Sequence, residues 1–166
     1  PTFWSRKRLD NIQPQYWDTG TSQWVTVAQY VLSQEFVKPA NDPNGATNEP
    51  KLWLNSITQK SADAGSALPP VQYGYVLKQN RRDNGSACTP SYCAGNASLT
   101  MPRLDKITDP LGGETAFTYG KSHECPIVSS GFVRFPYDCF IAWNPAVGGF
   151  SIFNKWKVMS VTASDS

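Results

Sequence analysis

Arg103-Leu104-Asp105-Lys106-Ile107-Thr108-Asp109-Pro110-Leu111-Gly112-Gly113-Glu114-Thr115-Ala116-Phe117-Thr118-Tyr119-Gly120 decides how this chain is read. Leu104 and Ile107 close one short apolar run. In the next run Phe117 and Tyr119 alternate with Ala116 and Thr118, a period of two that puts both rings on one face of a strand. Asp109 to Gly113 lies between the runs. Proline presets φ for a turn, aspartate bonds the backbone two residues on, and glycine takes positive φ without steric cost. The stretch therefore reads as a β-hairpin, with 104–108 antiparallel to 115–119.

Outward from this hairpin the pattern stays β. Lys51 to Gln59 alternates, with Leu52, Leu54 and Ser56 facing one way and Trp53, Asn55 and Ile57 the other. Val71 to Lys78 sets Val71, Tyr73, Tyr75 and Leu77 on one face. Gly74, between two tyrosines, signals a bulge or a close backbone approach. Residues 9–17 and 23–36 form an N-terminal hairpin around a turn holding Gly20, with Pro14 at an edge or bulge. Val27, Tyr30, Val31 and Gln34 also have helical spacing, but β-branched content favours a strand. Pro39 to Pro50 is a polar loop dense in breakers. Residues 79–102 carry the least pattern and hold two formal glycosylation acceptors, Asn84-Gly85-Ser86 and Asn96-Ala97-Ser98. Phe132 to Phe135 and Cys139 to Trp143 are short strands, Asn144 to Gly149 is a turn, and Phe150 to Val161 closes the chain. No convincing amphipathic helix appears. The expectation is one all-β domain over 1–166, its antiparallel hairpins forming a sandwich or a curved sheet. Within it, 1–38 is the N-terminal hairpin, 39–50 a loop and 51–166 the remainder, with the hairpin at 103–120.

The wording of the hairpin carries more than its shape. Ile107, Thr108, Asp109, Gly112, Thr115 and Tyr119 stand where they stand in one unit of the RHS or YD repeat, which this stretch resembles. That family includes bacterial RHS proteins, Tc-toxin shells and teneurins. The likeness extends upstream through Leu52 to Thr58 and Leu68-Pro69-Pro70-Val71. Downstream it runs through Glu124-Cys125-Pro126, Asp138-Cys139-Phe140, Trp143 and Phe153 to Val158, so it covers roughly residues 50 to 162. These flanks resemble the segments around the first repeat of large secreted actinobacterial RHS proteins. The family motif usually ends Tyr-Asp, whereas Gly120 follows Tyr119 here, and only one clear unit is present. The resemblance implies an extracellular, non-catalytic scaffold whose partners are neighbouring repeats of a shell, often built around a toxic cargo.

Composition narrows the alternatives. The chain has 166 residues, 40% of them hydrophobic and 13% aromatic, with a net charge of +2. That length suffices for a core. Nucleic-acid binding calls for a basic stripe, and Arg6-Lys7-Arg8 is too short to be one. No run of about eighteen apolar residues exists to span a membrane. The start at Pro1, without Met or a leader, reads as a mature or excised fragment.

Four cysteines allow three pairings. Cys88 and Cys93 flank a tight loop and Cys125 and Cys139 a longer one, so neighbour pairing is simplest. A closed loop of about fifteen residues contributes roughly 3 kcal/mol. Zinc sites favour ligands two to four residues apart, which Cys125 and Cys139 are not, and His123 is the only histidine. The reading is therefore two disulfides, no metal and a secreted chain.

No nucleophile elbow, phosphate loop or spaced carboxylate pair is present, so the chain reads as neither an enzyme nor a cofactor binder. Among the carboxylates, Asp10, Asp18, Glu35, Asp105, Asp109, Glu114, Glu124 and Asp138 lie scattered over turns and strand ends. The alternative function is a carbohydrate-binding module, in which exposed indole or phenol rings stack on the apolar faces of a polysaccharide. Trp4, Trp17, Trp24, Trp53, Trp143 and Trp156 are the available indoles. Trp53, Tyr73 and Tyr75 are the nominal platform, because adjacent strands would bring them side by side. Against this stands the tendency of aromatic pairs to fill small β cores.

Overall fold

A computed structural model describes residues 7–38, 50–63, 65–82, 99–124, 137–144 and 149–165. Trp4, the loop 39–49, both Asn-x-Ser sites, Cys88, Cys93, Cys125, the strand expected at Phe132 to Phe135 and most of the turn after Asn144 lie outside them. The described residues contain eleven strands and no helix.

The strands are β1 Asn11–Ile12, β2 Gln15–Asp18, β3 Gln23–Thr26, β4 Ala28–Val37, β5 Lys51–Ser61, β6 Val71–Gln79, β7 Thr100–Thr108, β8 Glu114–Gly120, β9 Cys139–Asn144, β10 Gly149–Asn154 and β11 Lys157–Ser164. Seven of them make one antiparallel sheet in the order β1-β4-β5-β6-β7-β8-β11, and β2–β3 and β9–β10 are separate two-stranded ribbons. No second sheet of comparable size is present among the described residues, so the open sheet, not the sandwich, is the arrangement seen.

The decisive stretch forms its hairpin. Lys106 faces Ala116, Ile107 faces Thr115 and Thr108 faces Glu114. One oxygen of Asp109 accepts from the amides of Leu111 at 2.8 Å and Gly113 at 3.0 Å. The Asp109 amide donates to the Gly113 carbonyl at 2.8 Å. Gly112 sits at φ 95°, a region that L side chains rarely enter. From β8 the Tyr119 hydroxyl reaches back to the Leu104 carbonyl at 2.7 Å.

Gly74 is both of the things expected of it. The β6–β7 ladder shifts register between Gly74 and Tyr75. A Cβ at Gly74 would lie 2.7 Å from an Asp105 carboxylate oxygen, so the missing side chain makes room for the residue that the bulge displaces.

Three expected strand runs are each divided. The N-terminal hairpin turns around Gly20 as read, with Trp17 opposite Trp24, but Pro14 interrupts the first arm and Val27 the second. The Val27 amide bonds the Pro14 carbonyl. Beyond this joint the chain changes partners, β1 pairing with β4 in the main sheet. The closing stretch is likewise two strands, because at Lys155-Trp156 the chain leaves the β9–β10 ribbon and joins β8.

Burial is thin. Among the described residues the buried apolar ones are Ala28, Val37, Cys139 and Ile152, whereas Trp17, Trp24, Phe36, Trp143, Phe150, Val158, Met159 and Val161 are exposed. Among the described residues, the buried apolar cluster is Cys139 and Ile152 with Ile141 packed against them, inside the β9–β10 ribbon.

Candidate functional site

The structure brings Trp53 of β5 against Tyr75 of β6. β5 and β6 are neighbours, with Ile57 opposite Val71. The Trp53 and Tyr75 ring centroids lie 5.4 Å apart at 65°, and the Trp53 indole donates to the Tyr73 carbonyl at 3.0 Å. Trp53, Tyr73 and Tyr75 are all half-buried. This edge-to-face contact packs the rings against one another and uses the indole N–H on the backbone.

The more exposed indoles lie elsewhere. On the β2–β3 ribbon Trp17 and Trp24 meet at 5.5 Å and 69°, with exposures of 48% and 64%. Cross-strand partners share a face, so Gln15 and Thr26, opposite each other, flank these rings on the same side. On the β9–β10 ribbon Trp143 and Phe150 form a second exposed pair. Trp156 instead has Lys78 at 5.0 Å and Lys121 at 4.9 Å from its ring centroid, and its indole donates to the Gln79 carbonyl.

One tightly constrained polar group is Asp138. It is 2% exposed and pairs through Oδ1 with the Lys157 ammonium. Its Oδ2 accepts from the amides of Ser122 at 2.5 Å and His123 at 3.1 Å. Its own amide and carbonyl bond the His123 carbonyl and the Lys155 amide. Lys157 first, then the His123 and Ser122 amides, hold the Asp138 carboxyl down at about 2. Asp138 thereby ties three segments together at the point where β11 begins. Read in the sequence, it was one scattered carboxylate among several, and nothing in its spacing to residues 122 or 157 marks the contact. His123 enters the cluster through its backbone.

The adjoining Cys139, 4% exposed, is disulfide-bonded. Its partner lies outside the described residues, and so do the other three cysteines. Among the described residues no cluster of His, Cys, Asp or Glu suits a metal ion, and no helix is long and apolar enough to cross a membrane.

The remaining candidate is a sheet edge. β1, at one side of the main sheet, is two residues long and is followed within two residues by Pro14. A short edge strand beside a proline offers few unpaired backbone groups. β11, at the other side, is eight residues long, and every one of them is exposed. Its inner side pairs with β8, setting Val158 opposite Tyr119 and Val161 opposite Phe117, and Thr118 and Ser160 share a hydroxyl hydrogen bond of 2.6 Å. No strand lies beyond it among the described residues. Compared with known proteins, the chain matches no family model, no curated protein and no solved structure.

Proposed function

We propose that this chain is a non-catalytic scaffold segment of an extracellular, repeat-built β assembly of the RHS or YD kind. It works by adding its sheet to neighbouring strands of the parent protein. The observation that carries this reading is the β11 edge, a full-length outer strand, exposed throughout and lacking a strand on its far side among the described residues. Such an edge is a template for pairing, and stable soluble domains usually shorten it, charge it or cover it. The hairpin at Ile107 to Thr115 supports the same reading through the repeat motif it carries, and the disulfide at Cys139 fits an oxidising compartment. The test is amide hydrogen exchange at β11, in this chain alone and with adjoining segments of the parent chain attached. Strong protection only in the longer protein is the expected result. Equal exchange in both would overturn the reading.

A second reading, a carbohydrate-binding surface, is favoured by one specific observation. The exposed Trp17–Trp24 pair has Gln15 and Thr26 on its own face, an apolar platform beside groups able to bond hydroxyls. A glycan array with Trp17→Ala as control separates the readings, because saturable binding lost in that folded variant would support the sugar site.

A further inference from the structure

We infer that the uncharged face of the seven-stranded sheet packs against the same face of a second copy of this chain, sheet on sheet, about a two-fold axis. The inference is independent of the reading of β11 as a docking edge, because it uses a face of the sheet and leaves both edges open. Residues opposite one another in a ladder share a face. Each face can therefore be followed across the sheet pair by pair, past the register shifts of the β4–β5, β6–β7 and β8–β11 ladders.

One face holds every Lys, Arg, Asp and Glu of these seven strands. Ser33 lies opposite Ser56, and Ser56 opposite Gln72. Glu35, Lys51 and Lys60 stand in step with Ser33 and Ser56, and Lys78, Arg103 and Lys106 in step with Gln72. The Asp105 carboxylate lies on this side too, 2.7 Å from the place a Gly74 Cβ would take. Glu114 lies opposite Thr108 and Lys157 opposite Gly120. The reverse face carries no charge. Leu32 is opposite Ile57 and Ile57 opposite Val71. Tyr73 is opposite Ile107, Phe117 opposite Val161 and Tyr119 opposite Val158. Towards the other side Phe36 is opposite Leu52. Of this face only Ala28 is buried, and Phe36 and Leu52 are 64% and 47% exposed. No second sheet of comparable size is present among the described residues to cover it.

Two properties select a second copy as the occupant. The first is charge. A different protein can answer a charge with its opposite, but a two-fold interface sets a patch against itself, so an unpaired charge within it would meet its own sign. A face without charge, on a sheet whose reverse side carries all of them, meets that requirement. The second is area. The strands β4, β5, β6, β7, β8 and β11, at about 4.8 Å each and about seven residues of 3.3 Å, present roughly 650 Å². That exceeds the largest apolar patch of most monomers, about 300–600 Å². Two such faces bury about 1,300 Å², within the roughly 1,200–2,000 Å² of stable interfaces. Stacked sheets lie about 10 Å apart with their strands within about 30° of each other, a geometry that two copies reach without altering either sheet.

Sedimentation velocity and small-angle X-ray scattering on the full chain test this. The unmodified chain should form a concentration-dependent dimer whose scattering fits two stacked sheets. Phe36→Lys and Leu52→Lys, at exposed positions of the uncharged face, should be monomers at concentrations where the unmodified chain is dimeric. Ser33→Lys and Gln72→Lys, exposed on the charged face, should dimerise as the unmodified chain does. A cooperative melt checks that each variant folds, and the scattering of the unmodified chain decides the arrangement without any variant. A monomeric unmodified chain at its solubility limit, scattering that fits an elongated edge-to-edge pair, or folded Phe36→Lys and Leu52→Lys proteins that still dimerise would each overturn the packing. A monomer that binds an apolar dye would equally overturn the second copy as occupant. None of these results alters the hydrogen-exchange test of β11, so the scaffold reading stands or falls separately.

Discussion

Gly112→Ala isolates the turn on which the fold was read. Gly112 holds φ 95°, and forcing an L side chain into that region costs about 1–2 kcal/mol. A chain of this size loses roughly 2–4 °C of melting temperature per kcal/mol, so the melting point should fall by about 2–8 °C. Gly112→Asn should fall less, because asparagine tolerates positive φ. Gly113→Ala works differently. Its Cβ would lie 2.5 Å from an Asp109 carboxylate oxygen and 3.2 Å from its Cγ, so the carboxylate must turn away from the amides of Leu111 and Gly113. Those bonds are solvent-exposed, and losing them costs about 1 kcal/mol. Asp109→Ala removes the same bonds, so the double variant should cost clearly less than the two single changes added together. Leu111→Ala is the control, because Leu111 is 90% exposed and its loss should stay within about 0.5 kcal/mol. Calorimetric melting of the unmodified chain and these six variants decides the matter. A Gly112→Ala melting point no lower than that of Leu111→Ala would refute the turn geometry.

Acid should act first at the start of β11. The Asp138 carboxyl is lowered from 3.8 to about 2 in the fold, so it stabilises the native state above its ordinary value, and that stabilisation drains away as pH falls from about 4 towards 2. Asp138→Asn should lower the melting point at neutral pH and flatten its fall over that window. Asp18 and Asp63 are lowered in the same direction by Thr21 and Ser61 respectively, so the comparison is of slopes, and parallel slopes would sink the assignment. Trp53→Ala should cost roughly 2 kcal/mol from the lost ring contact and indole hydrogen bond, read by chemical denaturation; a change under about 0.5 kcal/mol would show that the contact is not formed. Trp53→Ala and Tyr75→Ala should show no polysaccharide binding to lose on a glycan array, and saturable binding abolished in folded Tyr75→Ala would return the sugar site to β5–β6.

The strands that sequence reading located well are those in which period and punctuation agree. Val71 to Gln79 alternates cleanly between breakers, and Asp109 to Gly113 has turn residues at each position that needs one. Where reading went astray, the backbone obeyed a constraint with no local signature. Val27 is an ordinary strand residue, yet the chain changes sheets there because its amide answers the carbonyl of Pro14. Lys155-Trp156 likewise separates two strands in a run whose composition is β throughout. There the Asn154 amide and side chain bond the Asn80 and Gln79 carbonyls, groups more than seventy positions upstream. The candidate edge was legible in composition but not in place. Phe150 to Val161 reads as one closing β run, and only the ladder order shows that its last part belongs to an outermost strand.

The two edges of the main sheet argue against treating exposure as accident. Both ends of a seven-stranded sheet face the same hazard of pairing with whatever strand comes near. At the β1 side the chain curtails it, with two paired residues, then Pro14, and Gln34 held by its side-chain bond to the Leu9 carbonyl. At the β11 side the opposite is built. Asp138 anchors Lys157, Trp156 is fixed by its bond to Gln79 and flanked by Lys78 and Lys121, and from that fixed point eight residues run exposed along β8. Orientation held so firmly at the root of a strand preorganises its free side, which lowers the ordering cost of adding another strand. Val158, Met159 and Val161 stand exposed on the same strand, where a partner would cover them. A module that met its ligand through side-chain rings alone would have no use for that arrangement. The anchoring of β11 therefore weighs for a partner that binds backbone to backbone.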